Sequence, residues 1–311
     1  MAAEVIEPDG DLTIVCHDTS FQVCSKAIAL ASPVFKAMFM SNFMEGLSVK
    51  NSDPSNPAVV KLPEDDPEAF RIFSNIAHHR LDRLPHQLEI DQLDGLAMLV
   101  DKYQCASLIR GVGRSWILGA LRKRSRERPR EELWLLLHFA YVVNSQTYFS
   151  AISRVLVESS PQPFLRWKYA RDNMRTFPGE LLAQLDLLHN QILVQMQLAL
   201  MDPVLCLTRN SCSECRFKID GYLYRLFTLE GGLIPSTPSF GKTSIASILQ
   251  SLYSMEEDAL DWYMKECERH PMPPTLKNRV PVLEDLKKRI GALNMCLKCI
   301  KDGYCEKHVV E

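Results

Sequence analysis

Alternation with a period of two residues is confined to three short runs near the start of this chain, and the periodic segments that follow are helical. In Asp11–Cys16, Leu12, Ile14 and Cys16 fall on one face, as in a half-buried strand. Phe21–Cys24 repeats the pattern with Phe21 and Val23, and the turn-like link His17–Ser20 makes the two runs a hairpin. Ala58–Leu62 is a third, separate strand. Between them the sequence predicts a helix capped by Ser25 and a second one opened by Ser32-Pro33, with Ser at the N-cap and Pro at the first helical position. Phe35, Met38 and Phe39 line the inner face of the second. Asn51–Pro57 is a loop. Asp66-Pro67-Glu68 opens another helix, carrying Phe70, Phe73 and Ile76. Leu93, Leu96, Ala97, Val100 and Tyr103 form a further helical stripe, continued by Leu108, Ile109, Val112 and Trp116. A hairpin, two helices, a lone strand and more helices give a small α+β domain over residues 1–120.

Composition narrows what the whole can be. The chain has 311 residues, 46% hydrophobic and 24% charged, with a formal net charge of −2. That argues against a disordered or collagen-like chain, and it gives no global bias towards nucleic acid or anionic lipid. The first ten residues hold Glu4, Glu7 and Asp9 but no basic residue and no apolar core, which excludes a secretory or transit signal. The longest apolar run, Leu133–Val143, is too short for a membrane span of about 20 residues. An intracellular compartment, cytoplasmic or nuclear, is therefore expected, where the ten cysteines remain thiols or bind metal.

The combined patterns DGDLTIVC, F-x-V-C-S-K-A-I-A-L-A-S-P-V-F-K-A-M-F, V-x-L-P-E-D-D-P-E-A-F and L-A-M-L-V-D-K-Y-Q-C resemble a BTB/POZ domain over residues 9 to about 118. The overall style is similar to fungal BTB proteins of unassigned role. The resemblance implies an interaction module that dimerises, recruits cullin-type ubiquitin ligases or assembles transcription regulators, with no catalytic residues. It also implies a charged pocket formed by Asp11 and Lys26, for which an ordinary ion pair is the plainer account. The sequence departs from the family at Ser25, where His is usual, and at Ala77-His78-His79, where Tyr-Thr-Gly is usual. Only ten residues precede Asp11, which argues against a strand-swapped homodimer.

Residues 121–178 read as a basic linker followed by a helix pair similar to a BACK extension. Arg122–Arg130 carries six basic residues in nine positions. A solvated linker or helix face explains it, and a nuclear import signal or nucleic-acid patch is the sharper alternative. No aromatic residues interleave with these charges, which argues against single-strand binding. Residues 179–311 read as a helical, cysteine-rich region. Leu181, Leu185, Leu188, Ile192 and Ala199 share one stripe, which fits a core helix or a dimeric coiled coil. Gly241-Lys242-Thr243 lacks the first glycine and the preceding strand of a phosphate-binding loop.

Seven of the ten cysteines lie between Cys206 and Cys305. Cys206-x5-Cys212-x2-Cys215 and Cys296-x2-Cys299-x5-Cys305-x2-His308 have mirrored spacings. Zinc takes four thiolate or imidazole ligands in a tetrahedron, and C-x2-C presents two sulfurs from one turn. The expected set is Cys212, Cys215, Cys296 and Cys299 around one structural zinc, with Cys206, Cys305 and His308 in reserve. Cys267-x2-His270 adds a further pair, so two ions are arithmetically available, and reduced core or surface thiols are the alternative. The fold class expected is thus an α+β BTB/POZ-like domain followed by a mostly α-helical region with a candidate structural zinc site. The expected function is a non-enzymatic protein–protein interaction module, docking a partner or self-associating. The alternatives are a substrate adaptor of a cullin-type ubiquitin ligase and a nuclear regulator that binds DNA through the cysteine-rich tail.

Overall fold

A computed structural model of the chain describes residues 3–41, 44–123, 128–208, 212–228, 244–254, 270, 279–303 and 305. The chain forms two compact units. One comprises Met1–Ile152, Met174–Phe177 and Leu297–Glu311, and the other Ser153–Asn173 and Pro178–Cys296. The helix over 130–142 thus falls in the same unit as the predicted α+β domain.

In the first unit the alternating run becomes β2 (Leu12–Cys16), with Leu12, Ile14 and Cys16 buried. It pairs antiparallel with β3 (Thr19–Val23), placing Leu12 opposite Val23 and Ile14 opposite Phe21. The strand β4 (Ala58–Lys61) joins the other side of β2 in parallel, with Val60 buried and Val59 exposed. A strand too short for the sequence to reveal, β1 (Glu4–Val5), adds in parallel to β3, giving the order β1-β3-β2-β4. Gly10 permits a close backbone approach there, since a Cβ at that position would lie 2.6 Å from the Val23 carbonyl oxygen.

The helices pack one face of this sheet. Ser25 does not cap α1 (Ser25–Ala31): Cys24 holds the N-cap position, and Ser25 is the first helical residue. Ser32 does cap α2 (Pro33–Met40), accepting the Phe35 N–H, while its own hydroxyl donates to the Tyr103 carbonyl at 2.6 Å. A helix not foreseen, α3 (Met44–Lys50), follows. Asp66 caps α4 (Pro67–Ala77) by accepting the Glu68 N–H. Then come α5 (Ile90–Lys102) and α6 (Ala106–Lys123). The buried rings of Phe21, Phe35, Phe70, Phe73 and Tyr103 meet at the centre, with Phe35 stacked 4.0 Å from Tyr103. Asp65, itself buried, accepts the Tyr103 hydroxyl at 2.7 Å and Lys102 at 3.0 Å, so its charge is met inside the fold.

The apolar run predicted as a core helix is α7 (Arg130–Val142), packed on α5 and buried over nearly its whole length. Arg128, within the basic run, is folded inward: it pairs with Glu132 and donates to the Ala120 carbonyl. Residues 124–127 of that run lie outside the described residues. The next helix, α8 (Gln146–Ser159), completes the predicted pair.

The second unit is built on α10 (Leu181–Thr208), which follows a short α9 (Lys168–Asp172). Leu181, Leu185, Leu188, Ile192 and Ala199 are all buried, as their shared stripe predicts. Asp186 reaches from α10 to accept the Phe164 and Leu165 N–H groups at 2.6 and 3.2 Å, fixing the turn after Pro163. The Tyr222 hydroxyl of α11 (Ser213–Thr228) donates to Leu200 of α10. The helix α12 (Ile245–Ser254), with Ile245, Ile248 and Leu252 buried, follows; α13 (Arg279–Ala292) is tied to α10 by Arg289–Asp202 at 2.8 Å. Arg154 donates to the Ile290 and Leu293 carbonyls, satisfying the end of α13. The last helix, α14 (Leu297–Asp302), lies in the first unit, where Gln146 accepts its first N–H and Lys301 sits over the Tyr141 ring at 4.5 Å. Among the described residues, no helix is long and apolar enough to cross a membrane.

Candidate functional site

The start of β2 delivers Asp11 to the start of α1. Its carboxylate accepts the Ser25 N–H at 2.7 Å and the Ser25 hydroxyl at 2.6 Å, so it supplies the cap that Ser25 was expected to give. A carboxylate suits this place, because the unpaired N–H groups of a helix start favour negative charge. Lys26 is exposed and makes no ion pair with Asp11. The structure therefore joins Asp11 to Ser25, the residue at which the sequence departs from the usual His.

The second departure also has a physical account. His78 Nε2 accepts the Cys24 N–H at 2.9 Å, so the ring proton is on Nδ1, which donates to the Ser74 carbonyl at 2.8 Å. Burial holds the His78 pKa below the ordinary histidine value, which keeps this neutral form. The hairpin and α4 are thus tied at α1 by one histidine. Nothing in the local pattern around His78 signals that bond, whose partners are 54 residues apart.

The first unit also presents apolar side chains to solvent. Leu30 on α1 is 81% exposed and Met40 on α2 is 65% exposed, with Leu47 of α3 half exposed. Arg71 extends from α4 to pair with Glu4 at 2.8 Å, and Arg80 pairs with Glu7 at 3.2 Å. These pairs and the β1 ladder bind residues 4–7 to their own chain.

The thiols behave differently along the chain. Cys16 and Cys105 are fully buried, and burial pushes each thiol up to about 12, which makes them inert apolar groups. In the tail, two groups of ligand atoms each lie within 4.8 Å of one another: Cys212, Cys215 and His270, and Cys296, Cys299 and Cys305. Either group could hold a metal ion. The structure thus groups the expected ligands differently from the four-sulfur set: Cys212 and Cys215 lie with a histidine, and Cys296 and Cys299 lie with Cys305 of their own stretch of chain. The physical reason is local. Each C-x2-C straddles the start of a helix, α11 or α14, and each helix start meets its own third ligand. Cys299 and Cys305 sulfurs are 3.4 Å apart. Of the reserve ligands, Cys305 is buried in its cluster, while the Cys206 side chain and His308 lie outside the described residues, as do Cys267 and Gly241-Lys242-Thr243. His270 was legible only as half of Cys267-x2-His270, and nothing in the sequence assigned it to Cys212 and Cys215.

Residues 9–115 match the family model of the BTB/POZ domain. The match covers about a third of the chain and includes the sheet strands β2 to β4, the aromatic core and most of α6. This fold is a protein-interaction module. No curated protein matches the chain.

Proposed function

We propose that this protein is a non-enzymatic interaction protein: its BTB/POZ domain docks a protein partner or a second copy, and its cysteine-rich tail is held by structural zinc. The observation that carries the first half is the match over residues 9–115, which ends inside α6. The exposed Leu30, Met40 and Leu47 support it, since large apolar side chains left in water favour association. β1 is engaged within its own chain, so self-association would use these helix faces and not an exchanged strand. The second half is supported by the two thiol-rich groups, whose soft ligands suit zinc over calcium or magnesium.

Sedimentation of the purified full chain over a concentration series tests the docking role. A concentration-dependent dimer, weakened by Leu30→Asp or Met40→Asp, is the expected result. A chain that stays monomeric and takes up no cullin counts against it. The helix pair α7–α8 behind the BTB/POZ domain favours a narrower reading, a substrate adaptor of a cullin-type ubiquitin ligase. Binding of purified cullin, abolished by substitutions on the α1–α3 surface, supports that role, and no complex at micromolar concentration removes it.

A further inference from the structure

Cys212 immediately precedes α11, and Cys215 lies in its first turn. The Cys215 N–H donates to Cys212 Sγ at 3.3 Å, so this sulfur takes the capping place of a 16-residue helix. The start of a helix favours negative charge, and the thiolate is the form that binds metal. From the other side, His270 Nδ1 lies 3.5 Å from Cys215 Sγ. A sulfur and an imidazole nitrogen on one tetrahedral zinc, with bonds of about 2.3 and 2.1 Å, are about 3.6 Å apart. Cys215 is buried and its two companions are half-buried.

We propose that Cys212, Cys215 and His270 bind a zinc ion of their own, separate from the Cys296–Cys299–Cys305 cluster. This rests on the reading that the tail holds structural zinc, and it changes the ligands: a histidine completes the first pair where a second C-x2-C was expected. A closed structural site needs a fourth ligand. The described residues supply three of the four, Cys212, Cys215 and His270. Such an ion would join two points 55 residues apart, Cys215 and His270. A clip that closes a long loop removes much chain freedom from the unfolded state. The ion would therefore act as a fastener of the second unit.

Zinc counted per chain by elemental analysis and native mass spectrometry tests this on the full protein. Cys215→Ser and His270→Ala should each lose one zinc, Cys299→Ser should keep that zinc, and His270→Cys, which retains a ligand, should restore it. Unchanged zinc in both Cys215→Ser and His270→Ala overturns the site. Loss of all zinc in Cys299→Ser alone also overturns it, while leaving a single shared ion and the zinc reading intact. A wild-type chain that holds no zinc and takes up none overturns both. Alkylation of the wild-type protein needs no variant to fold. Cys212 and Cys215 should react with N-ethylmaleimide only after a chelator is added, and equal rates with and without chelator count against the site.

Discussion

Cys16 and Cys105 sit in the first unit as the core's smallest sulfur-bearing apolar groups, each walled in and each far from ionising. Cys215 is also buried and Cys212 half-buried, yet they face another ligand atom. Burial alone does not separate the two kinds of thiol. What separates them is the company they keep: no second ligand sulfur or imidazole is grouped with Cys16 or Cys105 among the described residues, whereas Cys215 has both beside it. The first unit is stabilised by its aromatic centre, whereas the second combines a helical core with the candidate fastener at Cys212, Cys215 and His270. Each unit should therefore respond to a different insult.

Chelation should break the comparison most sharply. Structural zinc contributes roughly 10–16 kcal/mol of apparent binding free energy in small zinc domains, and that energy is folding energy. A strong chelator should abolish protection of α11 in hydrogen exchange while leaving β2, β3 and α4 protected. The reverse insult is Phe35→Ala, which removes the ring shared by Phe39, Phe70, Phe73 and Tyr103. It should destabilise the first unit by about 3–5 kcal/mol in chemical denaturation without changing the zinc content.

Acid should weaken the second unit through His189, which is 2% exposed on α10 and whose pKa burial lowers to about 4. Folded His189 stays neutral while the unfolded histidine, with a value near 6.5, gains a proton. Its stabilising contribution is thus complete above about pH 6.5 and lost progressively as the pH falls to about 4. The loss should reach about 3 kcal/mol, and His189→Gln should flatten this limb of the stability–pH curve. The smallest effect is expected from Asp66→Ala, which removes the cap of α4 and should cost about 1 kcal/mol in the first unit alone.

How much of this was legible depends on how far the determining interactions reach. Leu12, Ile14 and Cys16 announce their shared face because a strand's period is two. Ser32-Pro33 and Asp66-Pro67 announce helix starts because a cap is a bond within three residues. Two residues cannot show a period, so β1 was invisible and emerged only through its ladder to Phe21 and Gln22. Ser25 carried a capping residue's chemistry, but Asp11, 14 positions away, holds the cap because the hairpin brings it there. The C-x2-C pairs were likewise readable as ligands, while their partners were not.

The sequence by itself determined the BTB/POZ pattern, the helical character of the remainder and the residue types able to hold metal, since periodicity, capping and ligand chemistry are properties of neighbouring residues. Only the tertiary structure decided that Asp11 meets Ser25, that His78 ties the hairpin to α4, and that Cys212 and Cys215 meet His270 while Cys296 and Cys299 meet Cys305. Those pairings follow from which helix starts and strand ends the packed cores bring together. For Asp11, His78 and His270, spacing along the chain carries no information about that.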